Sequence, residues 1–307
     1  MCNEAEGKAL ESKVRNGARR VTPGVLFALS NGMKWSPGGR SSNLEDKRGR
    51  GMGGPLGIGG GLIMLVLTLI FGPDVISNGD GTSDSQGDVG AGLSPADSAR
   101  EEPMVQFVSF VLDDVQATWA SAFKGAGSGY RPAKMVLFRN GTQSACGVGQ
   151  SAMGPFYCPL DERVYLDLGF FNELDSRFGA PGDFAQAYVI AHELGHHVQH
   201  LLGTDGKVRE LQSSNPGAAN QLSVRLELQA DCYAGVWAHA AAERGKLSTG
   251  DVEEGLGAAS AVGDDRIQRQ TTGSVNVDSF THGSAQQRAE WFNRGLQTGR
   301  SSSCETF

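Results

Sequence analysis

His192-Glu193-Leu194-Gly195-His196 is the stretch of this 307-residue chain whose residue types and spacing are best suited to chemistry. On a helix, positions four apart lie about 40° apart around the axis and about 6 Å along it, so both imidazoles reach one cation. Glu193 stands beside that pair, where a carboxylate can take the proton of a water that the cation polarises. Downstream, Arg225-Leu-Glu227-Leu-Gln-Ala-Asp231-Cys-Tyr-Ala places two acids four apart among apolar side chains. Zinc in a hydrolytic site takes three protein ligands and keeps one position open, and two histidines with a glutamate form such a set. Glu227 is therefore the expected third ligand, and Asp231 is expected to receive the other ring N–H of a ligand histidine. A third histidine does not complete the site, because Gln199 and Leu202 stand where the metzincin pattern needs Gly and His. His197 and His200 are expected to be non-ligands.

The element that must carry the motif is a helix over 183–203. Asp183 is the expected N-cap, Gln186 completes a capping box, and Gly203 ends the helix in a left-handed conformation. The second pair of acids needs its own helix. A later segment, Thr281-His282-Gly283-Ser284, leads into a helical pattern with Arg288, Trp291 and Phe292. Two roles are open for His282: a structural neighbour of the helix start, or, alone or with Arg288, a hydrogen-bond donor to the oxyanion of a tetrahedral intermediate. Tyr165 and Tyr233 are weaker candidates for that second role.

Three stretches together carry a family resemblance: His192-Glu-Leu-Gly-His-His-Val-Gln, Glu227-Leu-Gln-Ala-Asp231-Cys-Tyr-Ala-Gly-Val-Trp, and Phe280-Thr-His-Gly-Ser-Ala-Gln-Gln-Arg288. From about Met33 to Phe307 the chain resembles a bacterial family of neutral zinc metallopeptidases, single-span membrane proteins. The resemblance implies a gluzincin-like Zn2+ site and an α+β, zincin-like domain with a small antiparallel sheet. It also implies that the strand just before the zinc helix is the edge on which an extended peptide pairs.

Along the chain, residues 1–32 are expected to be either an extension from an upstream start codon or a cytoplasmic tail. Residues 33–54 are Gly, Arg and Ser rich and are expected to be disordered, so that 1–54 form a cytoplasmic segment. Within 55–76, Leu56 to Gly72 is a run without a charged residue, near the lower limit of about 17 residues for a transmembrane helix. Residues 1–55 hold 10 Lys and Arg against 5 Asp and Glu, and the remainder holds 17 against 29. That bias predicts a single-pass cell-membrane protein with a cytoplasmic N-terminus and an extracytoplasmic catalytic domain, in preference to a cleaved signal peptide. Residues 77–102 read as a flexible linker and 103–307 as the peptidase domain.

Within that domain Met104–Phe123 has helical apolar spacing, with Asp113 and Asp114 on an expected solvated face. Lys134–Arg139 reads as a strand that turns at Asn140-Gly141 onto Ser144-Ala-Cys-Gly, and Tyr157-Cys-Pro and Arg163–Leu168 as further short strands. Leu247–Val262 reads as a helix and 263–279 as a polar loop. Outside the cytoplasm the even set of cysteines is expected to pair as Cys146 with Cys158 and Cys232 with Cys304.

These readings converge on a zinc peptidase acting on a peptide or protein, with Glu193 as general base. The alternative is a catalytically silent, zinc-stabilised scaffold or binding module of the envelope. A nucleic-acid partner is disfavoured by the acidic balance beyond residue 55.

Overall fold

The computed structural model describes residues 32–49 and 93–307, and Gly32–Phe307 forms one body. Residues 1–31 and the apolar run from Leu56 to Gly72, with the expected span at 55–76 and most of the expected linker, lie outside the described residues. Among those described, no helix is long and apolar enough to cross a membrane.

The described chain opens with strand β1 (Leu44–Asp46) and helix α1 (Pro95–Gly125). Strands β2 (Lys134–Phe138), β3 (Gly141–Ser144), β4 (Gly147–Gln150), β5 (Phe156–Cys158) and β6 (Arg163–Asp167) follow. The remainder is helical: α2 (Gly169–Ser176), α3 (Asp183–Leu201), α4 (Thr204–Ser214), α5 (Ala219–Glu243), α6 (Asp251–Ala261), α7 (Asp264–Thr271) and α8 (Ala285–Thr298). The α+β class expected from the sequence describes this architecture.

The main sheet corrects the expected small antiparallel one. Its order is β1-β2-β6-β5; β1 and β2 run parallel, as do β2 and β6, and only β5 is antiparallel to its neighbour. Alternation along β2 and β6 explains why it forms. Met135, Leu137, Val164 and Leu166 face the main core beneath the helices, while Val136, Phe138 and Tyr165 meet Cys158 on the other face. A strand covered on both faces reads as the unbroken apolar run Met135-Val-Leu-Phe138. The expected hairpin across Asn140-Gly141 does not form. Asn140 adopts φ +66° and turns the chain away, and β3 pairs with β4 instead, Gly141 opposite Gln150.

The N-terminal segment is the larger correction. Residues 33–49, expected to be disordered, are built into the body: β1 pairs with β2, Met33 is buried, and Trp35 packs edge-on against Phe107 at 5.3 Å. Arg48 is buried between Asp46 and Glu101, which makes its charge part of an interior network rather than of a solvated tail. α1 begins eight residues ahead of the expected Pro103 boundary, because Ser94 caps it, accepting from the Asp97 N–H at 3.1 Å, with Pro95 in the first turn. Of the two aspartates expected on a solvated face, Asp113 is exposed and Asp114 is half-buried. Asp113 accepts from the Ser41 hydroxyl at 2.6 Å, and Asp114 accepts from Trp237 Nε1 at 2.9 Å and pairs with Arg244 at 2.6 Å.

Helices α3, α5 and α8 frame the site. α5 and α8 cross at two glycines that admit no side chain. A Cβ on Gly235 would lie 2.0 Å from the Phe292 carbonyl oxygen, and one on Gly295 would lie 2.0 Å from that of Cys232. Both expected disulfides are formed: Cys232–Cys304 ties α5 to the C-terminal tail, and Cys146–Cys158 ties the β3–β4 hairpin to β5.

Candidate metal centre

The start of α3 differs from the expected capping box. Gly182 precedes the helix at φ +109°, and the carboxylate of Glu254 occupies the space a Cβ would take there, accepting the Phe184 N–H at 3.2 Å. Asp183 accepts the Met33 N–H, and Gln186 Oε1 is buried without a partner. At the other end Gly203 is left-handed (φ +74°), as expected.

Two turns into α3 the ligand set assembles. His192 Nε2 lies 3.2 Å from His196 Nε2 and 3.1 Å from Glu227 Oε2 on α5; His196 Nε2 lies 3.5 Å from Glu227 Oε1. Four-coordinate zinc with bonds of about 2.0–2.2 Å spaces its ligand atoms about 3.3 Å apart, and the three donor atoms match that triangle. The acids at this point draw positive charge to it. Burial would raise the Glu227 carboxyl, but His196 and His192 beside it hold it well below the usual range. Burial would lower His192, yet Asp231 and Glu227 hold it up at about 10. Two imidazoles and an ionised carboxylate facing one point form a donor set whose chemistry fits Zn2+.

Each ligand histidine is held from behind. His192 Nδ1 lies 2.8 Å from Asp231 Oδ1, and Asp231, fully buried, accepts from Arg288 Nε and Nη2 (both 2.9 Å) and from the Tyr188 hydroxyl. Burial would raise Asp231; the charges of Arg288 and His192 hold it below the usual carboxylate range. Arg288 is thus placed behind His192, with its guanidinium engaged by Asp231 and by the Val262 carbonyl, rather than as a group facing an oxyanion. His196 Nδ1 is held by Gln199 Oε1 at 2.8 Å, and the Gln199 amide is fixed in turn by the Leu226 carbonyl and Gln229. Gln199 and Tyr188 escaped the sequence reading. The available signal was a polar residue three positions after a ligand on an otherwise apolar helix face.

Glu193 is 8% exposed and accepts no hydrogen bond or ion pair among the described residues. Burial holds its carboxyl above the ordinary range, against the pull of both ligand histidines. His282 is half-buried, its Nδ1 3.2 Å from Asp264 Oδ1, while Asp264 Oδ2 accepts the backbone N–H groups of Thr281, His282 and Gly283. Burial would lower His282, but Asp264 and the charge of Glu227 raise it. Asp264, also absent from the sequence reading, is the residue that shapes this loop.

The remaining candidates are structural. His197 is buried between the Arg131 carbonyl (2.6 Å) and the Tyr157 hydroxyl (2.9 Å), and His200 bonds Asp205 at 3.0 Å. Tyr165 stacks on Phe156 and Tyr233 packs on Trp119, both as core residues. The strand just before α3, β6, is not the expected edge, because β2 and β5 flank it; the edges of the sheet among the described residues are β1 and β5.

Comparison with known proteins shows the family. Residues 33–307 match the family described as putative neutral zinc metallopeptidase, and the chain belongs to that family. It is 48% identical over 287 residues to the uncharacterized protein YpfJ of Escherichia coli K12, covering 90% of this chain and 99% of that one. An uncharacterized protein of Mycobacterium tuberculosis is 47% identical over 206 residues, covering 64% and 68% respectively. No solved structure matches.

Proposed function

We propose that this protein is a zinc-dependent metallopeptidase that hydrolyses peptide bonds, with His192, His196 and Glu227 holding Zn2+ and Glu193 as general base. The observation that carries the reading is Glu193 itself: a buried carboxylate beside the three donors that is spent on no structural bond. Zn2+ held by these three residues would supply the Lewis acidity that activates water and polarises the peptide carbonyl. Glu193 takes the proton of the attacking water and passes it to the leaving amine, a task suited to a carboxyl whose pKa is raised. Asp231, gripped by Arg288 and Tyr188, keeps His192 in the tautomer that turns Nε2 to the metal, and Gln199 does the same for His196. His282, oriented by Asp264, donates to the oxyanion. The free edge of β5 offers main-chain hydrogen bonds to an extended substrate, which makes recognition tolerant of side-chain sequence.

We place the domain outside the cytoplasmic membrane, a compartment in which the two disulfides persist. Residues 33–49 belong on that same side. A single crossing between Gly49 and Leu93 would separate β1 from β2. The test of the enzymatic reading is incubation of zinc-loaded protein with a complex peptide library, read by mass spectrometry. New peptide termini that vanish on chelation support it; an unchanged library contradicts it.

A further inference from the structure

Three carboxylates meet at the start of α3. Asp183 opens α3, Asp251 and Glu254 lie in the first turn of α6, and one oxygen from each falls within 4.8 Å of the others. Their satisfied oxygens accept only backbone amides: Asp183 Oδ1 from Met33 at 3.0 Å, Asp251 Oδ2 from Ser248 at 2.7 Å, Glu254 Oε2 from Phe184 at 3.2 Å. Asp251 is fully buried and its Oδ1 has no donor. None of the three forms an ion pair among the described residues. Burial raises all three carboxyls, and Asp183 adds its repulsion to the other two. Asp251 is buried, Asp183 and Glu254 are half-buried, and the charge of Lys34 offsets only part of the strain at Asp251, so the cluster favours a further positive group.

The group already seated against it is the backbone nitrogen of Met33. The Met33 side chain is 2% exposed, and Lys34 N–H is fixed by the Lys246 carbonyl at 2.6 Å, so this nitrogen is held in place from both sides. Gly32 packs on the same carboxylate, where an added Cβ would lie 2.5 Å from Asp183 Oδ2. The family match also begins at Met33, and the Escherichia coli relative is spanned over 99% of its length by 90% of this chain, close to the share that residues 33–307 make up.

We infer that Met33 is the N-terminal residue of the folded protein and that Asp183, Asp251 and Glu254 form the binding site for its α-ammonium group. A free terminus replaces one amide donor by three N–H donors bearing a positive charge, which matches three acids and an oxygen without a donor. The terminus is thereby tied to the first residue of the zinc helix. A hard divalent cation such as Ca2+ or Mg2+ is the rival occupant, since it too takes carboxylate oxygens.

Intact-mass measurement and N-terminal sequencing of the protein made from its own gene region, with the codons of both Met1 and Met33 present, test the first half. A chain beginning at Met33 with an unblocked amine is expected; a chain that retains residues 1–32 overturns the inference. Thermal unfolding tests the second half. Chains beginning at Met33 and at Met1 are compared, each also carrying Asp251→Asn with Glu254→Gln. The Met33 chain is expected to melt about 3–6 °C higher, an advantage that disappears in the double variant. Equal melting of the two chains, or an advantage that survives the double variant, overturns the site. So does a cluster-dependent rise in melting temperature of the Met33 chain with millimolar Ca2+ or Mg2+, which would assign the cluster to a metal.

Discussion

Arg288 grips Asp231 with two parallel hydrogen bonds, Nε to Oδ2 and Nη2 to Oδ1, each 2.9 Å. Because Asp231 also holds His192 Nδ1, a guanidinium 96 residues away in sequence decides how a metal ligand is oriented. Arg288→Lys keeps a charge but loses the planar fork. It is expected to weaken zinc affinity about 10- to 100-fold in chelator competition. Asp231→Asn should do the same, and affinity equal to that of the unmodified protein in both variants would remove Arg288 and Asp231 from the site.

Gln199 is the corresponding support for His196. Gln199→Leu removes the acceptor of the ring N–H and leaves the Leu226 carbonyl without its side-chain donor, at a cost of about 1–3 kcal/mol. Denaturant unfolding should show that loss, and zinc competition should show a weaker site with the α3 fold retained by circular dichroism.

The glycine crossing is the frame on which this depends. Gly295→Ala drives a methyl group into the Cys232 carbonyl, and α8 must move away from α5. Overpacking of this kind costs about 1–3 kcal/mol, occasionally more. Since α8 carries Arg288, the variant should lose zinc affinity as well as melting temperature, whereas an alanine at the exposed, helical Gly257, where nothing crowds the added carbon, should leave zinc affinity unchanged and melt no lower.

The two disulfides differ in what they constrain. Their sequence separations are 72 for Cys232–Cys304 and 12 for Cys146–Cys158. On the chain-entropy model these are worth about 4 and about 3 kcal/mol. Paired Cys→Ser replacement should therefore lower stability more at Cys232 and Cys304 than at Cys146 and Cys158 in guanidinium titration.

Side of the membrane is testable with single cysteines at the exposed Ser42 and Ser128, on the two flanks of residues 50–92. In intact cells both are expected to react equally with a membrane-impermeant maleimide. Labelling of Ser128→Cys but not of Ser42→Cys would restore the single-crossing arrangement and take β1 out of the sheet.

What was legible in the sequence is local in origin. His192, His196, Glu227 and Asp231 follow from helical spacing, which a four-residue interval expresses directly. The disulfide pairing was also anticipated. The rest depends on partners far apart in the chain. β1 joins the sheet through Asp46, Arg48 and Glu101, charges that read as solvated until their burial is seen. Arg288 faces Asp231 instead of substrate because two glycines let α8 approach α5, and no periodicity within either helix encodes that approach. Asp183 gives way as a cap because Glu254, 71 positions later, fills the space beside Gly182.

Glu193→Gln is the most direct test of the enzymatic reading. The variant should bind one zinc with unchanged affinity, because Glu193 is not among the three donors, and should fail to cleave a peptide that the unmodified protein cleaves. Zinc retained with turnover lost is the expected result; a Glu193→Gln protein that cleaves at the unmodified rate would contradict the assignment of the general base and the mechanism built on it.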